Sequence, residues 1–214
     1  MSGRALFLIG SPKGLKASNS ARYGEGLATR LESEGWTIGR VHLHEAVATA
    51  DGSDGLCRQA QEADLVVLIA PLYVDTLPGP TLRALEILAE RSSSEAPDRA
   101  TGLAALIHCG FIEPAHNKVA VALCKEFAQQ AGWMWRGALM LGGGGMPSKR
   151  ARSVLEEAGD ALARGGAISA EIAEKASKPT MPVWLYILGG NAMWRRVAKK
   201  RGISPQDLRG KPYA

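Results

Sequence analysis

A strand-length apolar run, Ala5-Leu6-Phe7-Leu8-Ile9, stops at Gly10 and gives way to Ser11-Pro12-Lys13-Gly14-Leu15-Lys16-Ala17-Ser18-Asn19-Ser20. Helical spacing begins at about Ser20. A buried strand followed by a small-residue loop and a helix start narrows the possible folds sharply. The loop offers hydroxyls, one side-chain amide, a lysine and the free N–H groups of a helix N-terminus, a combination suited to a phosphate. It lacks the G-x-G-x-x-G of dinucleotide sites and the G-x-x-x-x-G-K-[ST] of nucleoside triphosphate loops. What remains is a hydroxyl-rich nest for a terminal monophosphate, with Ser11, Ser18, Asn19 and Ser20 as donors and Lys13 as a charge. The competing reading is an ordinary helix cap, where Ser and Asn are favoured without any ligand.

The same alternation continues along the chain. Thr37–Leu43 alternates and reads as a strand near an edge, whereas Leu65–Ala70 reads as buried on both faces. Leu103–Ile107 and Gly137–Leu141 complete a set of five strands. Between them lie apolar stripes at helical spacing: Gly24, Leu27, Ala28 and Leu31; Leu82, Leu85, Leu88 and Ala89; Val119, Ala122, Leu123 and Phe127; Leu155, Ala158 and Leu162. A shorter helix is expected over residues 53–62. Arg91–Arg99 reads as a polar loop and Gly142–Gly145 as a flexible spot. Alternating strands and helices imply a parallel sheet with right-handed crossovers. Five strands give a three-layer α/β sandwich of order 2-1-3-4-5, flavodoxin-like, whose ligands sit beyond the strand carboxyl ends where strands 1 and 3 diverge. That rule selects the loops 11–20, 71–79 and 109–117.

The second of these, Pro71-Leu72-Tyr73-Val74, places an aromatic in a Pro-bounded turn that can lie against a planar ring or pack under the next helix. The third, His108-Cys109-Gly110-Phe111-Ile112-Glu113, combines a glycine that permits close approach with a second aromatic. His108 and Cys109 are adjacent, but strand neighbours point to opposite faces, so a thiolate–imidazole pair is geometrically poor. Cys57 and Cys124 read as core residues. His42 and His44 with Glu45 read as a solvated strand edge rather than a metal pair, and Glu156, Glu157 and Asp160 as a wet helix face.

Three cysteines in 214 residues, without a Cys-x-x-Cys pair, argue against a disulfide framework and a structural zinc site, and a reducing, cytoplasmic compartment is expected. No secretory leader and no run of spanning length is seen. The net charge of +5 is uneven: residues 1–181 hold 19 Lys/Arg against 20 Asp/Glu, and residues 182–214 hold seven against one. The excess is a property of the tail and does not indicate a nucleic-acid-binding core. The tail pairs an apolar run, Val183–Leu188, with Arg195, Arg196, Lys199 and Lys200 on one helical side and Met193, Trp194, Val197 and Ala198 on the other. Packing on its own domain or on a partner subunit is expected ahead of an anionic membrane surface. The chain therefore divides into a domain over 1–180 and a basic amphipathic extension over 181–214.

Taken in order, Ile9-Gly10-Ser11-Pro12-Lys13 with Ser18-Asn19-Ser20, then Ala63-Asp64 and Pro71-Leu72-Tyr73, then Cys109-Gly110-Phe111-Ile112-Glu113 resemble the NAD(P)H-dependent FMN reductases and NAD(P)H:quinone oxidoreductases of the flavodoxin-like superfamily. Gly190-Asn191-Ala192-Met193-Trp194 is similar to a C-terminal extension of some members. The resemblance implies a bound FMN, its phosphate held by Ser11, Ser18, Asn19 and Ser20. Its ring would lie among Pro71, Leu72, Tyr73 and Val74 on one side and Cys109, Gly110 and Phe111 on another. Lys13 stands where relatives commonly carry arginine, so the charge is kept and the bidentate fork is lost. It further implies hydride passing from NAD(P)H through FMN to a small-molecule acceptor (a quinone, flavin, azo or nitro compound), with no catalytic acid or base among the side chains, in a homodimer. The alternatives are a flavodoxin-type electron carrier, which the near-neutral core and the tail argue against, and a non-enzymatic module of the same fold.

Overall fold

The described residues of this computed structural model are 2–94, 101–144, 148–204 and 206–210. Among them, five apolar segments hydrogen-bond in parallel: β1 (Arg4–Ile9), β2 (Thr37–His42), β3 (Leu65–Pro71), β4 (Gly102–His108) and β5 (Met134–Leu141). Their order is β2-β1-β3-β4-β5, with Ile9 opposite both His42 and Ile69. β3 and β4 are buried at every residue, as continuous apolar runs between two helical layers must be. β2 lies at the edge, with Thr37 and Arg40 exposed and Ile38 and Gly39 half-buried.

Alternate residues of each strand feed two separate cores. Phe7, Ile9, Val67, Ile69, Leu106 and Leu139 face α2 (Asn19–Ser33) and α7 (Lys149–Ala163), while Leu6, Leu8, Val66, Leu68, Ala105 and Ile107 face α4 (Ala50–Gln61), α5 (Gly79–Ser94) and α6 (Lys118–Gln130). Short helices α1 (Gly14–Ala17), α3 (Leu43–Ala46) and α8 (Ala170–Ala176) fill connections, and α9 (Val183–Lys200) follows. Side-chain oxygens of Ser18, Thr49, Ser148 and Ser169 cap α2, α4, α7 and α8 by accepting a first-turn N–H. The expected stripes on α2, α5 and α7 are the covered ones. On α6 Phe127 alone of the expected stripe is covered: Ala120, Cys124 and Ala128 are buried with it, and Val119, Ala122 and Leu123 are exposed. A 3-10 turn over Pro114–Asn117 enters α6, and Asn117 Nδ2–H donates to the Leu141 carbonyl at 3.1 Å, so tertiary anchoring sets the rotation of the helix.

Other expectations also change. Arg91–Ser94 belongs to α5 rather than to a loop; the rest of the Arg91–Arg99 reading, like Gly145, lies outside the described residues. Asp160 is no free wet-face acid, since it bridges α7 to α2 through Arg30, 2.6 Å away. No helix of the described residues is long and apolar enough to cross a membrane.

One polar tie joins α2 to the sheet at the carboxyl rim. His108, the last residue of β4, sits 2.8 Å from the Ser20 hydroxyl, with the Tyr23 ring 5.2 Å away; both His108 and Ser20 are buried. Burial lowers the His108 pKa from 6.5 to about 4, so the ring stays neutral at pH 7. Between those values the unfolded chain binds more protons than the folded one, and acid therefore favours unfolding there. Urea unfolding of the wild type is expected to lose up to about 3 kcal/mol as pH falls from about 6.5 to about 4. His108→Gln is expected to flatten that part of the curve; equal slopes in the two proteins contradict the assignment.

Candidate functional site

β1 hands the chain to β2 on one side while β3 hands it to β4 on the other, so their carboxyl ends leave a crevice between diverging connections. The Gly10 N–H donates to the Ile69 carbonyl at 2.9 Å, and the Gly10 carbonyl accepts from the Thr81 hydroxyl at 3.3 Å. A Cβ at Gly10 would stand 2.5 Å from Thr81 Oγ1, which is why the first loop can sit this close to α5. Ser11 is buried, its hydroxyl oxygen accepting from the Lys13 N–H at 3.3 Å. The Ser11 carbonyl lies 2.8 Å from His42 Nε2, and the His42 ring stacks on His44 at 5.5 Å. This overturns the solvated-edge reading. β2 ends at His42, α3 turns His44 back beneath the loop, and His42 is buried. Burial first, then the neighbouring His42, hold His44 below the usual imidazole range. No group of three or more metal-ligating side chains occurs among the described residues.

Ser18 caps α2, its hydroxyl oxygen accepting from the Ala21 N–H at 3.0 Å. Asn19 is half-buried; Nδ2 donates to the Gly144 carbonyl at 3.0 Å and Oδ1 accepts from the Arg22 guanidinium. Ser20 is tied to His108, and Lys13 is exposed. The loop therefore braces itself with the very side chains expected to donate. Beside these bonds lies the start of α2, where Asn19 is half-buried and Ser20 buried, and whose first N–H groups precede any intrahelical partner and carry the positive end of the helix dipole.

In the second loop Pro71 closes β3 and is buried, and the Leu72 N–H donates to the His108 carbonyl at 2.7 Å. Tyr73 and Thr76 then exchange two backbone bonds at 2.9 and 3.1 Å around Val74 and Asp75. Val74 has φ +48° and Asp75 φ +59°, a left-handed pair that turns of this kind normally fill with Asn-Gly. A β-branched residue there is strained by roughly 1–3 kcal/mol. Val74 is 97% exposed and Tyr73 is exposed beside it.

In the third loop the Cys109 thiol turns inward toward the Phe111 and Glu113 carbonyls at 3.6 and 3.7 Å. Burial raises its pKa, so it is no thiolate at neutral pH, in keeping with the poor pairing expected from sequence. Gly110 faces open space, with nothing within 4 Å of an added Cβ. Phe111 is exposed and rests on His116, ring centres 4.5 Å apart. The glycine run after β5 is pinned where it is described: the Gly143 and Gly144 N–H groups donate to the Phe111 and Cys109 carbonyls at 2.7 and 2.9 Å. A cavity of about 660 Å³ lies between Gly110, Gly143 and Gly144 and α9, whose Tyr186 hydroxyl donates to the Gly110 carbonyl at 2.9 Å. A smaller one, about 260 Å³, runs between α2 and α7 past Asn19, Arg22 and Arg152.

The structure thus gathers the three expected loops at one rim. Two participants escaped sequence reasoning. The Gly144 carbonyl carries no side-chain signal, and Tyr186 lies 76 residues from its partner with nothing local to link them.

No family model matches the chain, and no curated protein matches it. Solved structures do. The chain is similar to an FMN-dependent NADH-azoreductase from Bacillus anthracis str. Ames Ancestor in complex with FMN, with 14% identity over 75% of this chain and 99% of that one, at a TM-score of 0.60. It is similar to an NAD(P)H:quinone oxidoreductase from Methanothermobacter marburgensis, with 15% identity over 76% and 96% of the two chains at 0.58. It is likewise similar to a flavodoxin, WrbA-like protein from Agrobacterium tumefaciens, with 14% identity over 76% and 96% at 0.58. At these identities the likeness is one of architecture, and together with the 2-1-3-4-5 sheet it shows that the chain has the flavodoxin-like fold.

Proposed function

We propose that this chain is an FMN-dependent oxidoreductase that takes hydride from NAD(P)H and reduces a small acceptor such as a quinone, flavin, azo or nitro compound. The observation that carries the reading is the strained Tyr73–Thr76 turn, which holds exposed apolar groups at the crevice where the α2 N-terminus and the open face of Gly110 converge. Strain kept at a rim that packs against nothing is the mark of a ligand contact rather than of a fold requirement. The solved neighbours that bind FMN or oxidise NAD(P)H lend the same support.

In this reading residues 1–180 form the cofactor domain. The Asn19 and Ser20 N–H groups, with Ser11, Ser18 and the Lys13 charge, hold the phosphate. Pro71, Leu72, Tyr73 and Val74 border one side of the ring, and Cys109, Gly110 and Phe111 another. Cys109 contributes backbone only, because its thiol is turned away. When bound, FMN supplies two-electron uptake from nicotinamide and delivery to the acceptor. The residues themselves bind, orient and exclude water; no side-chain acid or base is assigned. The cavity beneath α9 suits the second substrate, being within the usual size of ligand sites. Phe111, Val119 and Leu123 form exposed apolar surface beside the rim, suited to a second copy of the chain. Three buried cysteines without a Cys-x-x-Cys pair suit the cytoplasm.

Purified protein titrated with FMN is expected to show a perturbed flavin spectrum that NADPH or NADH bleaches without oxygen. A protein that leaves the FMN spectrum unchanged refutes the proposal, and one reduced by dithionite but not by either nicotinamide is an electron carrier. Ser18→Ala with Asn19→Ala is expected to weaken FMN binding about tenfold or more. Val74→Gly separates strain from contact: the apoprotein should gain about 1 kcal/mol in urea unfolding while FMN affinity falls. Unchanged affinity in that variant removes Val74 from the ring site.

A further inference from the structure

Among the described helices α9 is covered least. Its inner stripe is Tyr186, Gly190 and Val197, spaced i, i+4 and i+11, all half-buried, with Ala198 buried next to Val197. The Tyr186 bond to Gly110 anchors one end, and the Ile203 N–H donating to the Ala198 carbonyl at 3.0 Å closes the other. The opposite stripe is Trp184, Leu188, Arg195 and Lys199, spaced i, i+4, i+11 and i+15, and it is exposed throughout, Trp184 at 67% and Leu188 at 62%. Leu185, Ile187, Met193 and Trp194 are exposed as well, along the cavity that α9 shares with Gly110 and Gly144. The tail thus packs on its own domain through the inner stripe alone, and its outer stripe is left uncovered.

The outer stripe changes character along its length, apolar and aromatic in its first half and cationic in its second. From Lys175 to Gln206, both included, there are seven Lys and Arg and no Asp or Glu. The helix is not apolar enough to span a membrane. An apolar, tryptophan-bearing segment joined to a cationic one is instead what an anionic lipid surface binds, the rings entering the acyl boundary and the cations meeting headgroups. We propose that α9 docks the protein on an anionic membrane surface. Trp184 and Leu188 enter the lipid, and Arg195, Arg196, Lys199 and Lys200 contact the headgroups. A second copy fits the stripe poorly. Two α9 helices related by symmetry bring cations against cations if parallel, and Trp184 and Leu188 against Arg195 and Lys199 if antiparallel; both desolvate charge without a counterpart. The inference rests on α9 alone and stands apart from the flavin reading. Its consequence is orientation, since the Tyr186 anchor holds the rim of the sheet beside the docked helix.

The test is flotation of the purified full chain with phosphatidylcholine vesicles and with vesicles that also contain phosphatidylglycerol. Binding is expected only to the anionic vesicles, with a blue shift of tryptophan fluorescence and release by salt. Each cation near such a surface contributes roughly fivefold in partitioning, so Arg195→Glu with Arg196→Glu is expected to lower binding by more than about twentyfold. Trp184→Ser with Leu188→Ser is expected to abolish it with an unchanged far-ultraviolet circular dichroism spectrum. The proposal is overturned if the wild type does not float with anionic vesicles at low salt, or if the charge-reversed variant binds equally. It is also overturned if Trp184→Ser with Leu188→Ser splits a dimer in sedimentation while vesicles bind neither protein, which would make α9 a subunit contact.

Discussion

The last rung between β1 and β3, the Gly10 N–H on the Ile69 carbonyl, decides where the chain can hold a ligand. Beyond it β1 must turn toward β2 and β3 toward β4, because each crossover returns on its own side of the sheet. The crevice is a consequence of that divergence and of nothing chemically special in the strands. Gly10 matters through an absent atom: the first loop leaves the sheet pressed against Thr81, where a methyl group has no room. Loops that start from so rigid a point can keep polar groups in place without enclosing them in a core.

The rim divides its polar groups between bracing and display. Ser18, Ser20, Asn19 and His108 satisfy one another or the backbone, which fixes α2 against β4 and the β5 loop. A buried hydroxyl or imidazole left unpaired would cost more than such a tie returns, so these side chains serve the scaffold first. Display falls to groups that no internal partner can reach: the first N–H groups of α2, the flat face at Gly110, and the turn at Val74 and Asp75. That turn is the clearest local conflict in the chain, a β-branched side chain in left-handed backbone with its methyls in water. Local rules broken without a packing gain tend to mark the places where a protein acts.

The extension obeys a different logic. The domain buries its apolar residues in two layers, whereas α9 leaves its largest ones outside and gathers cations beyond them. The Tyr186 hydroxyl on the Gly110 carbonyl ties it to the rim, a bond about as strong as a single neutral hydrogen bond. Rim and extension are thus adjacent yet separately built.

The buried character of β3 and β4 and the edge position of β2 were legible in the amino-acid order, because burial on one or two faces writes itself into periodicity two or into unbroken apolar runs; strand order and the rim loops followed only once the alternation of strand and helix was likened to a flavodoxin-like sheet. The charge asymmetry of the tail was legible for the same reason: composition is local. The rotation of α6, which exposes Val119 and Leu123, was not, since Asn117 reaches across to Leu141 to set it. Nor was the fate of His42 and His44, drawn under the first loop by a helix that begins one residue after the strand. Periodicity fixes which residues of an element are apolar and therefore which elements exist and how they layer. Which hydroxyl braces and which N–H is left for a ligand depends on partners tens of residues away, and only the assembled rim brings those partners within hydrogen-bonding distance.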